Sequence, residues 1–445
     1  MPICILTSYS FLALQPDLRV SIADVIGVTA IVTIILAAAL YVAEKNIATW
    51  SPSVILTVAV VLRLLFLFRP PELSDDIFRY LWDGLQILRG QNPYTMAPSC
   101  VEPLSQPSLH LQKLVNHSDL ITIYPPAAQI IFAVGSLLGK NVFGMKLLLI
   151  VLDVITCCML IKLLALMRLP AWRCVVYAWH PLPVIEIAAS GHIDGAAIFF
   201  LFIALFLLMK QAGVWTPNRL GVSALLFTKK GLLVLSAGFV FSFAILVKLL
   251  PLIFLPALLI FVRSRIIILF LIGILVGCTV LTLPFLPDLN NMFVTLNTYL
   301  RNWEFSGLLF RNLRLITSSG NIARLVLASV FILSSLFLYG MLRFKKARSP
   351  FQTLYYITLV FLFLTPTLHP WYVLYLACLL PFVPGPAGLA LTWSVFLSYR
   401  VIIPYFLLGK WIEDGYTPAF IWIAPCGAYL LTRIVKSIKE RRPVL

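Results

Sequence analysis

YPPAAQIIFAVGSLL, residues 124–138, decides how the rest of the chain is arranged around a membrane. It opens on a proline pair, stays largely apolar to Leu138 and stops at Gly139-Lys140-Asn141. About fourteen residues of helix reach roughly 20 Å, against a hydrocarbon core of about 30 Å. The length predicts a half-span or re-entrant helix. If the segment does not cross, the polar loop before it shares a face with a set of polar links further along. If it crosses, that loop is separated from them.

On either side the sequence is 61% hydrophobic and only 11% charged, whereas a soluble domain carries about 25% charged residues. The expected fold is all-α: one polytopic, membrane-embedded domain over residues 1–445 with about 12–14 transmembrane helices. Spans are expected at Val25–Val42 and Val54–Phe68 before the short segment. After it they are expected at Phe143–Met167, Cys174–Ala189, Ala196–Met209, Leu232–Val247, Leu249–Val262, Ile266–Leu286, Ile322–Leu342, Phe351–Leu368, Trp371–Val383, Ala387–Leu408 and Pro418–Val435. The N-terminus shows no charged n-region with a cleavage site, so no removable signal peptide is expected. Eight cysteines, Cys4, Cys100, Cys157, Cys158, Cys174, Cys278, Cys378 and Cys426, lie mostly in apolar runs without CxxC or Cys/His spacing. Neither a disulfide framework nor a zinc site is indicated.

The net charge of +17 falls in short clusters between spans and forms no basic stripe, which argues for membrane topology and against a nucleic-acid partner. Arg168 and Arg173; Lys210, Arg219, Lys229 and Lys230; Arg263 and Arg265; Arg343, Lys345, Lys346 and Arg348; and Arg433, Lys436, Lys439, Arg441 and Arg442 occupy alternating links and the C-terminal tail. The positive-inside rule makes these cytoplasmic, with the C-terminus. The opposite, extracytoplasmic face receives residues 190–195, 287–321, 369–370 and 409–417. With a re-entrant segment at 124–138, it also receives the long loop 69–120.

That loop carries the densest charge in the chain, PPELSDDIFRYLWDGLQILRGQNPYTMAP at 70–98. Asp76, Arg79, Tyr80 and Asp83 recur at helical spacing and share one face. Ser74, Asp75 and Asp76 read as a helix start, while Gly90 and Asn92-Pro93 end it. A carboxylate at a cavity mouth is a candidate general base, although capping alone would also place aspartates here. Three further clusters share the expected face. AASGHIDG brings His192 and Asp194, behind Glu186, to a span end. TPTLHPWYVLY sets His369 before Trp371 and Tyr372. NTYLRNWEFSGLLFRNLRL holds Arg301, Arg311 and Arg314, forks suited to a phosphate. Helix caps, an interfacial aromatic belt and local pairing with Glu304 or Asp288 are the competing structural readings. Tyr124 opens the short segment as a candidate cavity wall, and Lys248 stands alone before Pro251 with its role open. No phosphate-binding loop, dinucleotide fingerprint, HExxH or nucleophile elbow is present. No cofactor is indicated, and a divalent metal beside the aspartates is compatible with the sequence.

SDDIFRYLWDGLQILRGQNPY, followed by YPP, GHIDG and HPWY, resembles the membrane-embedded glycosyltransferases of the GT-C class. Within that class it is most similar to the bacterial polyprenyl-phosphate-mannose-dependent mannosyltransferases, over about residues 54–383. The resemblance implies a polyprenyl-phosphate sugar donor, a glycan or glycolipid acceptor, a bacterial cytoplasmic membrane and a catalytic carboxylate from the first large loop, here Asp75 or Asp76. Related aminoarabinose transferases have an acid followed by Arg and Tyr at the intervals of Asp76, Arg79 and Tyr80, which favours Asp76. The expected mechanism is a single inverting displacement. Arg79, Tyr80, Asp83, Tyr124, His192, Asp194, Arg301, Arg311, Arg314, His369 and Trp371 are the candidate substrate-binding residues. An additional helix at Val25–Val42 and the lack of a soluble C-terminal domain depart from the class. The rival reading, a secondary transporter or lipid flippase, predicts charge near the membrane midplane and related halves. No such repeat is visible.

Overall fold

The computed structural model describes residues 1–102, 105–212, 228–262, 266–344 and 349–441. Arg219, Arg263, Arg265, Lys345, Lys346, Arg348 and Arg442, named above as cytoplasmic, lie outside them. Among the described residues, eight helices are long and apolar enough to cross a membrane, and five shorter apolar helices join them. The chain is an all-α polytopic membrane protein.

It begins with a helix the sequence did not announce, α1 (Pro2–Ala13), packed against α2 (Ile22–Glu44) and α3 (Pro52–Leu67). The Tyr9 hydroxyl of α1 donates to the Trp179 carbonyl at 3.1 Å, fixing this helix to the protein interior. The charged loop then forms α4 (Asp76–Leu88). Its start is the expected one, with Ser74 Oγ accepting the Asp76 N–H at 3.3 Å, and Gly90 leaves it with a φ of 76°. The Pro/Ser/His-rich part of the loop carries a 3-10 turn at Pro98–Cys100 and a short helix, α5 (Gln106–Leu114).

The short apolar segment after the loop is α6 (Pro126–Leu137), 12 residues long, which is about 18 Å of helix. Ahead of it, Tyr124 hydrogen-bonds Asp76 at the start of α4. Behind it comes α7 (Val142–Leu166), capped by Asn141 Oδ1, which accepts the Gly144 N–H at 3.1 Å. Lys146, near the start of α7, donates to the carbonyls of Phe66 and Arg69 at 2.6 and 2.8 Å. Thus α7 starts beside the end of α3, a few residues before Asp76. Both ends of α6 therefore sit at one end of the bundle. It lies tightly on α4 because Gly84 has no side chain: a Cβ there would come within 2.2 Å of the Phe132 carbonyl oxygen.

Two expected spans, 174–189 and 371–383, are interrupted. The first is a 3-10 turn at Ala171–Cys174, an α turn at Val175–Ala178 and a π-helical turn at Pro183–Ala189. The second is a 3-10 turn at Pro370–Val373 followed by an α turn at Leu374–Ala377. Pro181, Pro183, Pro370 and Pro381 each remove a backbone donor and disfavour a regular helix. Irregular backbone at membrane depth is tolerated only where protein covers it, and residues 174–190 are buried throughout.

The remaining helices are α8 (Asp194–Ala212), α9 (Lys229–Val247), α10 (Leu255–Phe261), α11 (Ile267–Thr282), α12 (Leu289–Asn302), α13 (Leu308–Thr317), α14 (Gly320–Arg343), α15 (Pro350–Leu364), α16 (Pro386–Ser394), α17 (Ile402–Leu408) and α18 (Thr417–Arg441). Buried charge fastens α3 to α7. Arg63 Nε donates to Asp153 Oδ2 at 2.7 Å, Arg63 Nη1 to the Ala178 carbonyl at 2.6 Å and the Tyr177 hydroxyl to Asp153 Oδ1 at 2.6 Å. With its hydrogen bonds made, such a pair tolerates burial, and removing one member would strand the other. Contacts across the bundle gather the polar links at one end: Leu18 N–H with Glu72, Asn92 with Asp288, Tyr299 with Tyr372, and Ser306 N–H with Glu413.

Candidate active site

Asp76, the first residue of α4, lies at the centre of this polar end. Its Oδ1 accepts from Asn116 Nδ2 at 2.8 Å and its Oδ2 from the Tyr124 hydroxyl at 3.3 Å. His192 Nδ1 stands 3.8 Å from the same Oδ2, and His192 Nε2 stands 3.5 Å from Glu186. The Tyr399 hydroxyl lies 2.7 and 2.9 Å from the two Glu186 oxygens. His192 reaches this place because Gly191 turns the chain at a φ of 79°, a left-handed value favouring glycine. A Cβ at Gly191 would also meet Ile77 of α4 at 2.4 Å.

Next to this chain of groups, Lys248 Nζ lies 3.2 Å from Asp194 Oδ2. The same ammonium faces the rings of Tyr124 and Tyr372 at 5.6 and 5.7 Å from their centroids. Aromatic stacking closes the wall: Trp371 lies between His192 and His369, with centroids at 4.0 and 4.2 Å, and His369 stacks in turn on Phe305 at 4.7 Å. Tyr80 packs edge-on to Tyr124 and flat on Phe132. Asp76, Tyr80, Tyr124, His192, Asp194, His369 and Trp371, from four distant stretches, thus come together.

Accessibility separates the carboxylates. Asp76 keeps 20% of its side chain exposed, while Glu186 and Asp194 are sealed at 0%. Asp75 has no side-chain hydrogen bond at the cap. Burial, then the neighbouring Asp76 charge, push its pKa up, and Arg19 partly offsets this. Burial pushes His369 down to about 3, and burial together with Lys248 holds His192 well below its ordinary value. Both imidazoles are neutral donors and acceptors at physiological pH.

The other expected residues sit elsewhere. Arg79 and Asp83 bind each other at 2.9 Å, with Arg79 also donating to the Leu120 carbonyl and Asp83 accepting from Gln129. They fix α4 to the loop and to α6. Arg314 pairs with Glu304 at 2.5 Å, Arg311 donates to the Asp414 carbonyl, and Arg301 is exposed near the end of α12. Lys248, Asn116 and Tyr399 were not among the expected site residues. The signal for Lys248 was a lone cation inside an apolar run; Asn116 and Tyr399 had none. Among the described residues, no three His, Cys, Asp or Glu side chains converge as metal ligands do.

Residues 7–264 match a family described as alpha-(1->6)-mannopyranosyltransferase, N-terminal domain. The match covers more than half of the chain and takes in Asp75, Asp76, Tyr124, His192, Asp194 and Lys248, leaving His369 and Trp371 beyond it. No curated protein and no solved structure matches the chain.

Proposed function

Because the chain belongs to the alpha-(1->6)-mannopyranosyltransferase family, and is therefore a membrane mannosyltransferase of the GT-C type, we propose that it takes mannose from a polyprenyl-phosphate donor. The acceptor is a hydroxyl of an extracytoplasmic glycan or glycolipid, and Asp76 is the general base. The observation that carries this reading is the setting of Asp76: a partly exposed carboxylate oriented by Asn116 and Tyr124 and backed by His192.

In this reaction Asp76 takes the acceptor proton as the hydroxyl oxygen attacks the anomeric carbon of mannose. The bond from that carbon to the phosphate oxygen breaks, its electron pair leaves with the phosphate, and polyprenyl phosphate departs. A single displacement inverts the centre, so an alpha product calls for a beta-linked donor. Charge develops on the phosphate, and a positioned cation stabilises it. Lys248, whose ammonium faces the ring of the same Tyr124 that hydrogen-bonds Asp76, takes this role in place of Arg301, Arg311 and Arg314. His192, His369 and Trp371 form the wall against which the sugar is held.

Asp76→Asn and Asp75→Asn, assayed singly for transfer from polyprenyl-phosphate mannose, test the assignment. Asp76→Asn should lose about 10²–10⁴-fold in turnover, while Asp75→Asn retains most of it. Full activity in the first variant would refute the base.

A further inference from the structure

We propose that a cavity of about 200 Å³ on the far half of α4, lined by Trp82, Asp83, Gln86, Gln91, Asn92 and Thr95, binds a sugar unit of the acceptor glycan remote from the reacting hydroxyl. Gln86 marks it as built for a ligand: the residue is 5% exposed, and its Nε2 amide has no hydrogen-bond partner. A buried donor left unpaired carries its full desolvation penalty, which a ligand hydroxyl accepting from it offsets.

The walls are held in place. Asn92 Nδ2 and the Thr95 hydroxyl both donate to Asp288 Oδ2, at 2.9 and 3.1 Å, which ties two lining residues to the link after α11. The Asp83 carboxylate is fixed by Arg79 and Gln129. Amide donors, a carboxylate acceptor and an indole wall suit an uncharged, hydroxyl-rich ligand with apolar C–H faces. Among the described residues no Lys or Arg lines the cavity, which disfavours a phosphate or other anion. Gln86 is ten residues from Asp76 on one helix, about 15 Å along its axis. A single hexose cannot span that distance, so an occupant that also reaches Asp76 is a longer chain. The inference rests on the reading of the acceptor as a glycan.

The test is binding of α-1,6-linked mannotetraose and of methyl α-mannoside to the full chain in detergent, measured by calorimetry without donor. The wild type should bind the tetraose and bind the monosaccharide far more weakly. Gln86→Leu and Gln91→Ala should each weaken tetraose binding, the former roughly tenfold. Gln91 is exposed at the rim, so its substitution reports on the cavity even where Gln86→Leu disturbs folding. Unchanged tetraose binding in both variants, or none in the wild type, overturns the site. Because no transfer is measured, a variant at Asp76 that stays active would sink the catalytic assignment and leave this result untouched.

Discussion

Asp75 and Asp76 differ by one position in the chain and by what touches them. Capping made both candidates, and the spacing to Arg79 and Tyr80 already leaned to Asp76; the folded neighbours add Asn116 and Tyr124, which reach Asp76. Lys248 stands at the same limit of the sequence. Its isolation in an apolar run was visible, but its approach to Asp194 depends on α8 and α9 meeting. Substitution to Met keeps the length of the stem and removes the charge. It should lower kcat/KM for the lipid donor by roughly 10–100-fold, the worth of about 1.5–3 kcal/mol for a hydrogen bond to a charged group, and Lys248→Arg should recover part of the loss in a transfer assay at varied donor. Histidine burial sets a second expectation. His369 is held at about 3 against an ordinary 6.5, so below about pH 6.5 the unfolded chain takes up a proton that the folded one refuses. Its contribution to stability is complete above that pH and is lost as pH falls towards 3. Asp75, with a raised pKa, works the other way: just above its ordinary 3.8 its protonation favours the folded state. Thermal unfolding in detergent should therefore fall as pH drops from 7 to 5, and His369→Gln should flatten that slope. An identical slope in the variant would refute the burial argument.

At the scale of elements, the long uniform spans were legible and the broken ones were not. Residues 174–189 and 371–383 carry enough apolar residues to read as crossings, and their prolines read as kinks. Folding around His192 and His369 instead needs short turns whose backbone is covered on all sides, which is a property of the bundle and invisible in either run. The helices that do run straight pack through small residues, as in membranes where side-chain interlock and not hydrophobic exclusion drives association. Gly273 and Gly277 of α11 face Gly238 and Ser242 of α9; a Cβ at Gly273 would meet the Leu235 carbonyl oxygen at 2.2 Å, and one at Gly277 the Ser242 hydroxyl at 2.0 Å. Gly273→Leu should cost about 1–3 kcal/mol, the usual range for overpacking, and lower the unfolding temperature in detergent. Gly340→Leu on α14, where nothing lies within 4 Å, should leave it unchanged.

For the whole molecule, a single short helix sets the sidedness of the site. Its length was readable from residues 124–138, but the proof that it returns to the same end comes from Lys146 binding the carbonyls of Phe66 and Arg69, which joins positions remote in sequence. With both ends of α6 at one end of the bundle, loop 69–120 and the links bearing His192, Lys248 and His369 meet there, and Lys45, Arg168 and Arg343 lie at the far ends of their helices. On the positive-inside rule we propose that the site faces the extracytoplasmic side and the C-terminus the cytoplasm. Accessibility to a membrane-impermeant maleimide in intact cells decides this. In a chain whose remaining cysteines are replaced by Ala, the native, exposed Cys100 should label from outside. A cysteine at Lys140, in the turn between α6 and α7, should label with it, whereas one at Lys45, between α2 and α3, should react only after permeabilisation. Lys140 is the discriminating position, because a crossing helix would carry it to the side of Lys45. Labelling of Lys140→Cys only after permeabilisation would remove the shared face on which the assignment of Asp76, His192 and Lys248 to one extracytoplasmic site depends.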